Sequence, residues 1–390
     1  MTEIPTSDID LYSDRVIQDP FPVYEDLRNL GPIVCLPTHG NYAFTRLKIV
    51  RDALRNPKNF ASGSGVAADD FGCSFLRGNT VASDPPRHTK LRAAIQPPLL
   101  PAALEIVRPR VATLADDLIN HLVKQGSFDA MPDLAHHLPL TIVRELVGLP
   151  EFGKEKMLTW AGAAFDALGV QNQRGCGAIE HIKEMRAYID QAVQPEAVAP
   201  GSFIARVLDL KEKGEIEPDL AGFVIRDYIN PSLDTTISAI GQLILQLGRN
   251  PEQWQLLKSR PDRIPVAVHE AVRLGTPIRS FSRHTSRELD VEGHVLPAGA
   301  RIMMLFASAN RDEEVFDNPD QFDVTRNNRL HVGFGAGIHT CVGMHLAIME
   351  MTALLEAMVE RVDKISVGEP TIAMNNTIHS FSNLPTEFTA

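Results

Sequence analysis

Phe334-Gly335-Ala336-Gly337-Ile338-His339-Thr340-Cys341-Val342-Gly343 runs directly into an uninterrupted amphipathic stretch from Met344 to Val362. The pattern describes a cysteine held in a tight loop at the start of a helix. Gly335 and Gly337 suit left-handed or closely packed backbone, and Phe334 offers a large apolar plate beside the loop. The free amides and positive end of the following helix favour thiolate at Cys341, the form that ligates a metal, so the sequence predicts a lowered Cys341 pKa. Such a cysteine suits the axial ligand of a haem iron. Two other readings stay open on the residues alone: a buried free cysteine at a helix start, and a zinc site built from His339, Cys341 and His345, which no CxxC pair or second cysteine cluster accompanies.

Position by position, the stretch resembles the haem-binding loop of the cytochrome P-450 family, with its Phe, Gly, basic residue, Cys and Gly at the expected spacing. The resemblance implies a mainly α fold with small β-sheets and haem b (iron protoporphyrin IX) between a long central helix and the cysteine-loop helix. It places Cys341 on the iron and Phe334 and Gly343 at the cofactor.

The 390 residues contain no Gly/Ser linker, low-complexity tract or internal repeat, so a single domain over 1–390 is expected. Apolar residues make up 44% and charged residues 22%, ordinary for a globular enzyme with a large core. Four scattered cysteines, Cys35, Cys73, Cys176 and Cys341, form no disulfide framework. The segment from Met1 to Pro20 is polar and acidic and resembles neither a signal segment nor a membrane helix, which predicts a soluble, cytoplasmic protein. The formal charge of −11 argues against nonspecific nucleic-acid binding.

From Pro218 to about Leu247 the residues read as one long helix, with Pro218 and Asp219 at its start and Gly248 and Pro251 at its stop. Apolar positions on several faces predict that it is buried through the middle of the domain. Pro231 removes a backbone donor and clashes with the carbonyl four residues earlier, so a kink is expected there, with Asp234 and Thr235 within a turn of it. The segment resembles the family's oxygen-activation helix, in which Asp234 and Thr235 match an acid-alcohol pair over the iron. Pro231 and Ser232 stand where the family has Ala and Gly.

Glu270-Ala271-Val272-Arg273 sets a carboxylate and a guanidinium one helical turn apart. It resembles the family's Glu-x-x-Arg, and Phe316 to Asp323 resembles its aromatic-Pro-x-x-Phe meander; with Arg326 these imply a structural lock on the haem side. His88-Thr89-Lys90-Leu91-Arg92 resembles the family's His-x-x-x-Arg propionate clamp, which makes His88 and Arg92 candidate haem contacts, joined by Arg283 and His339.

The resemblance implies a monooxygenase that inserts one oxygen atom from O2 into a C–H bond, with electrons from a ferredoxin and a ferredoxin reductase. Lys90, Arg92, Arg326 and Arg329 form the expected basic docking patch. A haem-thiolate peroxygenase or isomerase, or a noncatalytic haem sensor, would share Cys341; the acid-alcohol pair speaks for the monooxygenase. Candidate pocket walls are Phe165, Leu233, Ile278, Phe281 and Phe381. The surroundings of Asp234, Phe165 and Ala307 to Asp312 are similar to the bacterial subgroup that oxidises small, para-substituted aromatic acids, by hydroxylation or O-demethylation, with Arg77, Arg226 and Asn230 as candidate anchors for the carboxylate.

Overall fold

The computed structural model describes residues 3–194, 196–229, 231–327 and 329–390. Helices make up most of it, and those that position the site are α1 (Arg87–Ile95), α2 (Arg108–Gln125), α3 (Met157–Asp166), α4 (Gln173–Ala192), α5 (Pro218–Ile229), α6 (Asp234–Arg249), α7 (Ile264–Gly275) and α8 (Met344–Arg361). α6 is apolar on nearly every face, and Ile237, Ile240, Leu243, Ile244 and Leu247 are all buried in it. It therefore runs through the centre of the main core, packed against α7 and the strand Lys364–Val367. α8 lies along α2, and α3 lies along α4.

The single long helix expected from Pro218 to Leu247 is two helices. α5 ends at Ile229 and α6 begins at Asp234, with a turn between them at Pro231, Ser232 and Leu233. Proline does more here than kink the rod, because its ring and missing donor remove the hydrogen bond that would bridge the two halves. Polar side chains take over the freed carbonyls. Thr235 donates to the Pro231 carbonyl at 3.0 Å, and Ser232 donates to the Tyr228 carbonyl. The C-terminal stop falls at Arg249, next to the residues that predicted it.

The largest sheet comprises β1 (Ile33–Leu36), β2 (Asn41–Phe44), β3 (Phe60–Ala61), β4 (Phe281–Thr285) and β5 (Arg301–Met304), in the order β1-β2-β5-β4-β3. β2 and β5 run parallel and the other neighbours antiparallel. Ile33, Phe44, Ile302 and Met304 bury one side of it in a second apolar cluster, and β4 carries Arg283 opposite Ile302. A short hairpin, Thr371–Ile372 with Phe381–Asn383, extends a loop over the start of α6, where the Ser238 hydroxyl donates to the His379 carbonyl. Among the described residues no helix is long and apolar enough to cross a membrane.

Candidate active site

Gly335 and Gly337 adopt φ of 69° and 73°, the left-handed conformation that their sequence predicts. A side chain at Gly337 would also run into the Leu54 carbonyl, so glycine is needed there for closeness as well as conformation. The Cys341 amide donates to the Phe334 carbonyl at 2.9 Å and closes the loop. Gly343 caps α8, and a β-carbon on it would stand 4.0 Å from the Cys341 sulfur. The amides of Gly343 and Met344 and the charge of Arg92 draw the Cys341 pKa down, as expected, but burial pushes the thiol up and outweighs them. For the free thiol the predicted net lowering is therefore corrected, because protein crowds the sulfur.

Beside the cysteine, four basic side chains converge; Asp84 acts on Arg283 and His88, and no described carboxylate acts on Arg92 or His339. The rings of His88 and His339 lie 4.4 Å apart, and the buried Nε2 of each lacks a hydrogen-bond partner. His339 is pushed down to about 2 by burial, then Arg283, His88 and Arg92; buried Arg283 is pushed down to about 10 by burial. Half-buried Arg92 is lowered by burial too, with only Cys341 opposing. Two arginines, one of them buried, and two orphaned imidazole nitrogens call for charged and hydrogen-bonding partners in this place. The two propionates of haem b would be such partners, and the glycine-lined loop would present a thiolate to its iron, so this donor set fits the cofactor. Among the described residues no group of three or more His, Cys, Asp or Glu side chains is placed to hold a metal ion, and the zinc reading of His339, Cys341 and His345 falls.

Glu270 and Arg273 are fully buried and joined by two hydrogen bonds of 2.7 and 2.9 Å. Arg326 adds a third at 2.9 Å to the same carboxylate and donates to the Asp317 and Asn318 carbonyls, while Arg273 also holds the Asn310 and Pro319 carbonyls. The three residues thus fasten α7 to the meander that precedes the cysteine loop. Arg326 is consumed by this lock and is removed from the predicted docking patch. Lys90 is exposed and paired with Glu217, and Arg329 is exposed.

Asp234 opens α6 beside α3, with its carboxyl 3.6 Å from where a β-carbon of Gly162 would be. Among the described residues no side chain or amide hydrogen-bonds that carboxyl. It lines a cavity of about 480 Å³ with Asp166, Arg174, His136, His181 and Phe381. Burial, and then the nearby Asp166, push Asp234 up to about 7, and burial pushes Asp166 up to about 6.

Of the predicted pocket residues, Phe165, Ile278 and Phe281 meet in one apolar cluster with Ala67, Leu168 and Ile378. Leu233 belongs instead to the main core, and Phe381 packs there while also lining the Asp234 cavity. Arg77 is exposed, and Arg226 stacks on Phe223 at 4.3 Å, so neither joins the apolar cluster; Asn230 lies outside the described residues. Two pocket segments meet at Asp227, which accepts hydrogen bonds from the amide and hydroxyl of Thr80. Sequence spacing gave no sign of the Asp166–Asp234 neighbourhood, nor of the His269–His331 contact at 3.0 Å behind Phe334, since both join residues far apart in the chain.

The cytochrome P-450 family model matches residues 264–388. Cytochrome p450 CYP199A2 from Rhodopseudomonas palustris is 34% identical, covering 99% of this chain and 95% of its own. Linalool 8-monooxygenase from Pseudomonas putida is 28% identical, covering 92% of each chain. The crystal structure of ligand-free CYP164A2 from Mycobacterium smegmatis superposes with a TM-score of 0.88 at 25% identity, over 97% of this chain and 98% of the other. The chain belongs to the cytochrome P-450 family and is a haem-thiolate monooxygenase whose cofactor is b-type haem.

Proposed function

We propose that Cys341 provides the thiolate, that His88, Arg92, Arg283 and His339 hold the propionates, and that Asp234 and Thr235 manage the protons of the reaction. Haem b, when bound, supplies activation of dioxygen and transfer of one oxygen atom into a C–H bond, the other leaving as water with two electrons and two protons. What remains for the polypeptide is to place the bond, exclude stray water and move protons. The observation that carries the assignment is Asp234 itself, a carboxyl with no hydrogen bond among the described residues, pushed up to about 7, at the break in the central helices. A group near neutrality both takes and gives protons readily. Thr235 donates to the Pro231 carbonyl, which holds its hydroxyl at the same break. Asp234→Asn is expected to lower product formation about a hundredfold with an unchanged carbon monoxide spectrum. Product formation at the parent rate would remove Asp234 from the mechanism.

The apolar cluster of Phe165, Ile278, Phe281 and Ile378 supports a small aromatic substrate, in the first instance a para-substituted aromatic acid. Because Arg77 and Arg226 lie outside that cluster, the ring and the carboxylate are tested separately. A panel of para-substituted benzoates and their neutral analogues is titrated against the resting enzyme. Spectral shifts with the acids alone support an aromatic acid; shifts with the neutral compounds alone, or with none, overturn it.

Bacterial members of the family take electrons from separate redox partners, here a ferredoxin with its reductase. Lys90 and Arg329 remain for its docking once Arg326, held by Glu270, and half-buried Arg92, assigned to the propionates, are set aside. The pair Lys90→Glu and Arg329→Glu is expected to slow electron transfer about tenfold and flatten its salt dependence. Unchanged rates and salt dependence would contradict this docking face.

A further inference from the structure

The Asp234 cavity has a direction. At its outer end, Gly177 and His181 of α4 are exposed, and a β-carbon on Gly177 would meet nothing within 4 Å. Deeper in, Asp166 and Asp234 are each only partly open to solvent. The floor is formed by Ile237 and Phe381. A space of about 480 Å³ that starts at solvent and carries two carboxyls among apolar walls is roomy enough for several waters, which those carboxyls can bind.

Asp166 is fixed in this space from behind. The Asn376 amide donates to one of its carboxyl oxygens at 2.8 Å, and the Asn376 side chain donates to its backbone carbonyl at 2.9 Å. Asn376 is itself held by Asn172 and Arg174. The guanidinium of Arg174 is turned toward Asn376, Asp14 and the Tyr12 carbonyl, so it attracts Asp166 only at a distance and leaves its carboxyl without an ion pair. The other charged or titratable groups facing the cavity are His136, at the start of the helix before α3, and His181 on α4; Arg279 acts on Asp166 from outside it. None of them forms a salt bridge with Asp166 or Asp234 among the described residues.

We propose that this cavity is the proton entry of the enzyme and that Asp166 is the positioning residue that passes protons from solvent, through water, to Asp234. The inference rests on the reading of Asp234 as the acid and adds the route by which it is recharged. Each proton Asp234 gives up is replaced by one from Asp166, which regains one from water at the His181 mouth. Only protons move; the electrons come from the redox partner. Because the two carboxyls repel when both are ionised, they hold a proton between them near neutrality, where the chemistry needs one.

Asp166→Asn keeps an oxygen for the Asn376 amide and removes the proton carrier. In the complete enzyme with its redox partners, product formation is expected to fall about tenfold. The solvent deuterium isotope effect should at least double, the lower limb of the pH profile should move, and Asp166→Glu should restore all three. Isotope-edited infrared titration of the resting protein gives a readout apart from turnover: Asp234 should titrate at lower pH in Asp166→Asn. Gly177→Leu, which narrows the mouth and leaves Asp166 and Asp234 unaltered, should raise the isotope effect and leave the Asp234 titration in place. If both variants turn over as the parent does while Asp234→Asn is slow, the route is wrong and the acid stands. If Asp234→Asn is also unimpaired, the reading of Asp234 fails first and the route falls with it.

Discussion

Glu270 has no exposed surface and accepts hydrogen bonds from two arginines. Burying such charges is costly, and removing one partner leaves the other uncompensated. Glu270→Gln is therefore expected to destabilise the protein by about 3–5 kcal/mol, read from urea unfolding midpoints. A change within about 0.5 kcal/mol would show that the lock contributes little. This lock was legible because Glu270 and Arg273 are one turn apart on a single helix. His88 and Arg92 follow the same rule, and the cysteine loop is a contiguous string. Asp166 was not legible: it shares a cavity with Asp234 because α3 packs on α6 with Gly162 facing the Asp234 carboxyl, a neighbourhood that no periodicity records. The thiol of Cys341 shows the same limit, since local amides predict its direction and tertiary burial reverses it.

Between elements, the decisive feature is the break at Pro231. The sequence marked the start of α5 and the end of α6 within two residues, yet merged the two helices, because hydrophobic periodicity carries through a proline that the backbone does not. Thr235 and Ser232 bond carbonyls one turn back, so the break is held by side chains as well as by the missing donor. Pro231→Ala restores the donor and should extend α6 toward α5. The expected outcome is a smaller share of electrons recovered in product, with the carbon monoxide spectrum unchanged. Equal recovery would mean that the break does not tune the reaction.

Across the whole molecule, the helical core and the five-stranded sheet enclose the cysteine loop between α8 and the basic cluster of α1 and β4. The mainly α class was readable through the family resemblance that the motifs spread along the chain carry. The substrate side was least readable, since the apolar cluster around Phe165 is assembled from segments distant in sequence. All of these features support one proposal, a thiolate from Cys341 on a haem iron. The most direct measurement is the visible spectrum of the purified protein, reduced and exposed to carbon monoxide, beside that of Cys341→Ala. A strongly red-shifted Soret band in the parent and not in the variant is the predicted result; no haem, or a histidine-type spectrum in both proteins, would contradict it.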